Sequence, residues 1–160
     1  MTLDGWTESS FTFDGSTYPT YRRGTGPGVI VVHEIPGITP RVEAFANEVV
    51  DAGFTVVLPH LFGRPGGRNG NGPVARTLGQ ICVSRELSLL ALGQTQPIAG
   101  WLRSLARELH AELGGPGVGA LGMCFTGGFA LAMMVDDAVA APVLAQPSAP
   151  IAMGPRRSAD

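Results

Sequence analysis

The first part of the chain alternates apolar and polar residues and then changes to continuous apolar runs. Within residues 9–23, Phe11 and Phe13 flank Thr12, and Asp14-Gly15 supplies a turn dipeptide before two tyrosines on the return. This alternation around a turn predicts a β-hairpin. The run 28–32 (GVIVV) consists of β-branched residues after its glycine, which is the pattern of a strand buried on both faces.

A helix is predicted directly after this buried strand. Thr39-Pro40 supplies an N-cap residue and a proline at the first helical position. Apolar residues then recur at intervals of three and four, which places them on one helical face: Val42, Phe45, Ala46, Val49 and Val50. Gly53 is expected just beyond the helix, before a second buried strand at 54–58. Strand, helix and strand in this order predict a parallel pair joined by a right-handed crossover.

The rest of the chain continues this alternation of helices and strands. The segment 64–73, rich in glycine and asparagine, is expected to be a loop. The elements predicted after it are helices at about 82–92 and 95–113, a strand at 118–121, a helix at about 127–135 and a strand at 139–145. This order predicts a single α/β domain over residues 1–160, with a mostly parallel sheet, helices on both faces and an N-terminal hairpin.

Composition and charge exclude several classes of protein. The 160 residues are 44% apolar and 15% charged, which excludes a disordered, self-repelling chain. The net charge is −2 and the arginines are scattered, so the chain has no basic footprint for nucleic acid or for an anionic membrane. Cys82 and Cys124 cannot form a disulfide framework, and the N-terminus does not resemble a signal peptide. We therefore expect a cytoplasmic protein with reduced thiols.

Cys124 lies where a predicted strand passes directly into a predicted helix. The surrounding stretch, GALGMCFTGG at 119–128, has small residues on both sides of the cysteine. A sharp strand-to-helix turn requires such residues and holds its apex residue in strained dihedrals. A helix N-terminus beneath the cysteine would stabilise a thiolate. A buried structural cysteine before a glycine-rich helix start accounts for the motif equally well.

Glu34 follows the first buried strand, in the segment HEIPG at 33–37. Ligands of parallel sheets bind beyond the carboxyl ends of the strands, where Cys124 is also predicted to lie. We therefore expect a carboxylate and a thiol in one crevice. The alternative is an exposed loop acid with no role in a site.

The sequence at these two stretches resembles the dienelactone hydrolase family, whose members have the α/β-hydrolase fold. The matching motifs are HEIPG at 33–37 and GMCFTGG at 122–128, and the resemblance extends from the hairpin to the strand near Val143. One departure is Thr126, which stands where the family pattern has the first of two glycines.

The resemblance implies a hydrolase that cleaves a carboxylic ester or lactone without a cofactor, acting on a small molecule and on neither nucleic acid nor membranes. Cys124 would be the nucleophile, and Glu34 would take its proton when substrate enters. The backbone N–H groups of Ile35 and Phe125 would form the oxyanion hole. An arginine binds the substrate carboxylate in the family, and Arg85 is the candidate here, with a solvated helix arginine as the alternative.

The three histidines are not assigned a catalytic role. His33 is expected to be a structural or pocket-wall residue, and His110 a partly exposed one. His60 follows the second buried strand, where a structural role is favoured and a position lining the crevice is the alternative. The histidines and cysteines show no metal-ligand spacing, and the glycine-rich loop 64–73 has no Gly-Lys-Ser/Thr for phosphate.

The acid and base of an α/β-hydrolase triad follow the nucleophile in the sequence. No histidine follows Cys124, and Asp136 and Asp137 come too early to be the triad acid. We therefore expect an incomplete chain, the N-terminal portion of a hydrolase. Two other hypotheses stay open: a catalytically silent module that binds a small carboxylate, and a thiol redox sensor that uses Cys124.

Overall fold

The computed structural model describes residues 3–63 and 97–146, with the side chain of Phe125 excepted. The glycine-rich loop 64–73, the predicted helix at 82–92, Cys82 and Arg85 lie outside the described residues. Within the described ranges, no helix is long and apolar enough to cross a membrane.

The N-terminal hairpin is present as predicted. Strands β1 (Thr7–Phe13) and β2 (Ser16–Arg23) pair antiparallel. The turn between them consists of Asp14 at φ 47° and Gly15 at φ 72°. Two consecutive residues with positive φ give the twist that a two-residue hairpin needs, and aspartate and glycine tolerate this conformation best.

Four further strands complete a six-stranded mixed sheet. They are β3 (Gly28–Val32), β4 (Thr55–Pro59), β5 (Val118–Met123) and β6 (Val139–Ala145). The strand order is β1-β2-β4-β3-β5-β6. The hairpin joins β4 antiparallel through β2, whereas β4, β3, β5 and β6 all run parallel. The predicted α/β class with a mostly parallel sheet is confirmed.

Three helices connect or follow these strands in the described residues: α1 (Pro40–Asp51), α2 (Pro97–Leu113) and α3 (Gly127–Met133). The Thr39 side chain caps α1 by accepting a hydrogen bond from the Val42 N–H at 3.4 Å, and Gly53 follows the helix at φ 92°. Helix α3 ends two residues before the predicted boundary, because the N–H groups of Met134 and Asp136 bond to carbonyls three residues back in tight turns.

The parallel strands bury both faces, as their continuous apolar runs predict. On one face, Ile30 and Val32 pack with α2 and α3; on the other, Val31 packs with α1 and with Trp6 from the N-terminus. Successive strand residues point to opposite faces, so neighbours in β3 belong to different cores. Helix α2 also contacts the hairpin through Trp101, whose indole N–H donates to the Phe11 carbonyl at 3.2 Å.

Strand β6 has an apolar surface that the described residues leave exposed. It is last in the strand order and pairs with β5. Val143 and Leu144 are 46% and 38% exposed, and Met134 and Val135, just after α3, are 52% and 70% exposed. An apolar strand that ends a sheet offers its unpaired backbone groups to another chain.

We expect the 160-residue chain to self-associate through β6. Val143→Lys combined with Leu144→Lys should weaken this association by about tenfold or more, because each buried aliphatic side chain contributes roughly 1.5–3 kcal/mol. Sedimentation velocity over a concentration series measures the effect. Thr12→Lys on β1, the strand at the other end of the sheet, controls for added charge. Equal association of all three proteins would contradict the prediction.

Candidate active site

The carboxyl ends of adjacent parallel strands bring Glu34, Cys124 and Gln146 to one edge of the sheet. Val32 of β3 pairs with Gly122 of β5, which in turn pairs with Leu144 of β6. Each of the three residues lies two positions beyond this row. Neighbouring strands are about 4.8 Å apart, so Cys124 lies between the strand ends that lead to Glu34 and Gln146.

Cys124 has the strained backbone that its place at the apex of a sharp turn predicts. Its φ is 52°, in the left-handed region that non-glycine residues rarely adopt. Strand β5 ends at Met123, a 3-10 turn covers Cys124–Thr126, and α3 begins at Gly127. The cysteine is half-buried. Such strain persists only where the surrounding structure holds it, and residues of this kind cluster at functional sites.

Gly122 is required by the close return of the chain after Cys124. A Cβ at this position would overlap the carbonyl oxygen of Thr126. This is the physical reason for a small residue two positions before the cysteine.

Thr126, the departure from the family pattern, is accommodated within the 3-10 turn that begins at Cys124. Its side chain is completely buried. The hydroxyl oxygen accepts the Met123 N–H at 3.0 Å, and lies 2.8 Å from the Met123 carbonyl and 3.1 Å from the Val32 carbonyl. A threonine is therefore accommodated in place of the glycine because its hydroxyl finds backbone partners.

Glu34 begins a turn that closes at Gly37. Its carbonyl accepts the Gly37 N–H at 2.9 Å and faces the His33 Nδ1 at 3.0 Å. Its half-buried side chain receives a long hydrogen bond, 3.5 Å, from the amide of Gln146. Glu34 and Gln146 thus contact each other across the end of the strand that leads to Cys124, at a partly solvated position.

Gln146 is the residue at this edge that the sequence reasoning missed. It has a positive φ of 42° directly after β6. Gln146 is followed by a proline, and a glutamine before a proline is common in loops. The residue type alone therefore does not indicate a functional site. Its position directly after the last predicted parallel strand is the signal that could have singled it out.

His33 is a structural residue, as expected. It is completely buried, and the Leu61 N–H donates to its Nε2 at 3.1 Å. Since Nε2 accepts, the proton resides on Nδ1 and is donated to the Glu34 carbonyl. Burial lowers the pKa of His33 from its usual 6.5 to about 4. A neutral ring with both nitrogens engaged cannot act as the base for Cys124.

His60 lies at the same edge but on the far side of β3 from Cys124. It follows β4, and its ring centroid is 6.0 Å from that of His33. Burial lowers its pKa, and its Nε2 is buried without a hydrogen-bond partner among the described residues. His110, in α2, is half-buried, in agreement with the expectation.

The candidate oxyanion donors also follow the two strand ends. Ile35 comes directly after Glu34, within the turn that Gly37 closes, and Phe125 comes directly after Cys124 in the 3-10 turn. Their backbone N–H groups therefore belong to segments that leave adjacent strands at the same edge.

Asp136 is held at the opposite edge of the sheet. Its buried carboxylate forms an ion pair with Arg107 at 2.6 Å and accepts the Ala138 N–H at 3.2 Å, just before β6 begins. The neighbouring Asp137 is exposed. Neither residue is placed to act as the acid of a triad with Cys124. Among the described residues, no group of three or more His, Cys, Asp or Glu side chains is positioned to hold a metal ion.

The strain at Cys124 predicts that glycine is more stable there than alanine. We expect the free energy of unfolding of Cys124→Gly to exceed that of Cys124→Ala by about 1 kcal/mol, since glycine adopts a positive φ without steric cost. Ala130→Gly, in α3, should instead lose about 1 kcal/mol. Urea unfolding measures all three variants. An alanine variant at 124 as stable as the glycine variant would show that the position is unstrained.

The low pKa of His33 predicts a loss of stability in mild acid. Between pH 6.5 and about 4 the unfolded chain binds a proton at His33 that the folded chain does not, so the free energy of unfolding falls as the pH falls. From pH 7 to pH 5 this should amount to about 2 kcal/mol.

The measurement is urea unfolding at both pH values for the wild type, His33→Asn and the control His110→Asn. The loss between pH 7 and pH 5 should be smaller in His33→Asn alone. Equal losses in the three proteins would exclude His33 as the source.

Comparison with known proteins agrees with the motifs and the fold. The family model of the dienelactone hydrolase family matches residues 15–155. A protein of Escherichia coli (strain K12) described as a hydrolase fragment, YghX, is 37% identical over 62 residues, which are 39% of this chain and 53% of that protein.

Solved structures of hydrolases share the fold at low sequence identity. A structure from Klebsiella pneumoniae described as a dienelactone hydrolase has a TM-score of 0.53 at 19% identity, over 76% of this chain and 50% of that one. The epoxide hydrolase VrEH1 of Vigna radiata has a TM-score of 0.60 at 14% identity, over 89% of this chain and 40% of that one. The chain thus spans about half the length, or less, of these relatives. With a family model that matches most of its length, the chain belongs to the dienelactone hydrolase family.

Proposed function

We propose that this chain supplies the nucleophile, Cys124, of a hydrolase that cleaves a carboxylic ester or lactone. The left-handed backbone of Cys124 at the end of β5 is the observation that carries the proposal, because a buried structural cysteine has no need of it. The family supports hydrolysis as the reaction class.

The first step is acylation of the thiol. The sulfur of Cys124 attacks the carbonyl carbon, its proton passes to the Glu34 carboxylate, and the carbonyl electrons move to the oxygen. The backbone N–H groups of Ile35 and Phe125 are the proposed donors to this oxyanion. When the intermediate collapses, the C–O bond breaks, the leaving alkoxide takes the proton back from Glu34, and a thioester remains on Cys124.

The second step is hydrolysis of the thioester by water, and it needs a base. The neutral His33 has no free nitrogen for this task, and His60 follows β4, which β3 separates from β5. The described residues therefore favour acylation over deacylation. We expect thioester formation to be faster than turnover in this chain.

A p-nitrophenyl ester tests the proposal. In a Cys82→Ala background, p-nitrophenyl acetate should release up to one equivalent of p-nitrophenol per chain in a burst, followed by slow turnover. Intact mass spectrometry should find one acetyl group, located at Cys124. Cys124→Ala should abolish the burst.

Glu34→Gln should slow the burst by about a hundredfold, the usual contribution of one proton-transfer group. Glu108→Gln, an exposed residue of α2, removes the same charge and should leave the burst unchanged. Reversible oxidation of Cys124 with no acetylation would overturn the proposal in favour of a thiol sensor. Binding of a small carboxylate with no acetylation would favour a catalytically silent module.

A further inference from the structure

Thr126 connects the two strand ends that lead to the candidate nucleophile and its proton acceptor. Its hydroxyl contacts Met123, the residue before Cys124, and Val32, the last residue of β3 and two positions before Glu34. All of its partners are backbone groups. A side chain that forms hydrogen bonds with the backbone of both strands fixes the relative position of the residues that follow them, here Cys124 and Glu34.

The hydroxyl has one proton and more partners than that proton can serve. Its oxygen accepts from the Met123 N–H, while its proton can be donated to the Met123 carbonyl at 2.8 Å or to the Val32 carbonyl at 3.1 Å. In the first arrangement both hydrogen bonds of the hydroxyl are made to Met123, within the turn. In the second, one hydrogen bond joins the turn to β3. Both hold the backbone immediately before Cys124.

The surroundings of Thr126 are closely packed. Its side chain is completely buried, and its carbonyl packs directly against Gly122 of β5. A left-handed residue such as Cys124 costs about 1–3 kcal/mol and stays in place only if neighbouring contacts over-determine it. The Thr126 hydroxyl supplies such contacts on one side of the turn. On the other side, the absence of a side chain at Gly122 lets the Thr126 carbonyl approach β5 closely.

We propose that Thr126 is a positioning residue: its hydroxyl holds the strained backbone of Cys124 and sets the separation between Cys124 and Glu34. The proposal rests on the proposed function, in which proton transfer from Cys124 to Glu34 depends on this separation. A displacement of about 1 Å in a reacting group can cost up to a hundredfold in rate.

Thr126→Val tests the role of the hydroxyl, since valine has the same shape without the oxygen. In the Cys82→Ala background, the rate of acetylation of Cys124 at saturating p-nitrophenyl acetate should fall by about tenfold or more, with little change in the concentration giving half the maximal rate. Thr126→Ser, which keeps the hydroxyl, should restore most of the rate. A valine variant as fast as wild type, or a serine variant as slow as valine, would overturn the proposal.

Thr55→Val is the matched control. Thr55 is also buried, and its hydroxyl donates to the Gly26 carbonyl at 2.9 Å, but it begins β4 at the opposite edge of the sheet. The variant should lose stability and retain the wild-type acetylation rate. A loss of rate equal to that of Thr126→Val would show that any buried hydroxyl has the same effect and would overturn the proposal.

A double-mutant cycle separates this proposal from the proposed function. Alkylation of Cys124 by iodoacetamide does not require an ester substrate, and its rate is measured for Glu34→Gln, Thr126→Val and the double variant. If Thr126 acts through the Cys124–Glu34 separation, the two losses are not multiplicative, and the double variant is about as slow as Glu34→Gln. Multiplicative losses would overturn the proposal even if acetylation fails in every protein.

If Thr126→Val does not fold, the pair Thr126→Ser and Thr126→Ala gives the same comparison. Both remove a methyl group from the core, and only serine keeps the hydroxyl. Faster alkylation and acetylation in the serine variant support the proposal, and equal rates contradict it.

Discussion

The parallel pairing of β3 with β5 is the constraint on which the rest of the site depends. It places Val32 beside Gly122, so that two segments far apart in sequence leave the sheet at the same level. The two faces of the sheet are covered by apolar cores, where an unpaired polar group would be costly, so polar side chains are placed beyond the strand ends. The common level of Glu34, Cys124 and Gln146 is a consequence of this pairing and of the equivalent pairing of β5 with β6.

The strain at Cys124 is balanced by contacts that the same pairing makes available. Cys124, with its left-handed backbone, lies between two such contacts. Gly122 has no side chain and leaves room for the Thr126 carbonyl, and the Thr126 hydroxyl forms a hydrogen bond with the Val32 carbonyl at the end of β3. A glycine at 126, as in the family pattern, would relieve crowding but would provide no hydroxyl. The structure thus has an alternative solution to the tight turn, in which a buried hydrogen-bonding group replaces a small residue.

His33 shows why a polar residue at a site need not take part in its chemistry. Its buried ring donates to the Glu34 carbonyl and accepts the Leu61 N–H, which joins the segments after β3 and β4. Complete burial keeps the ring neutral and its two nitrogens occupied. It therefore holds the turn that begins at Glu34 and takes no part in proton transfer.

The local pattern of the sequence determined most of the helices and strands. The turn dipeptide Asp14-Gly15, the cap at Thr39 and the β-branched runs act within a few residues, so the hairpin, α1 and the buried strands were predictable, as was the sharp turn at Cys124. The C-terminal end of α3 was not, because the tight turns after it bring Asp136 to its ion pair with Arg107 of α2. Gln146 and the role of the Thr126 hydroxyl were also decided by tertiary structure alone. Their partners, Glu34 and Val32, are about a hundred residues away along the chain, and only the pairing of the strands brings them within hydrogen-bond distance.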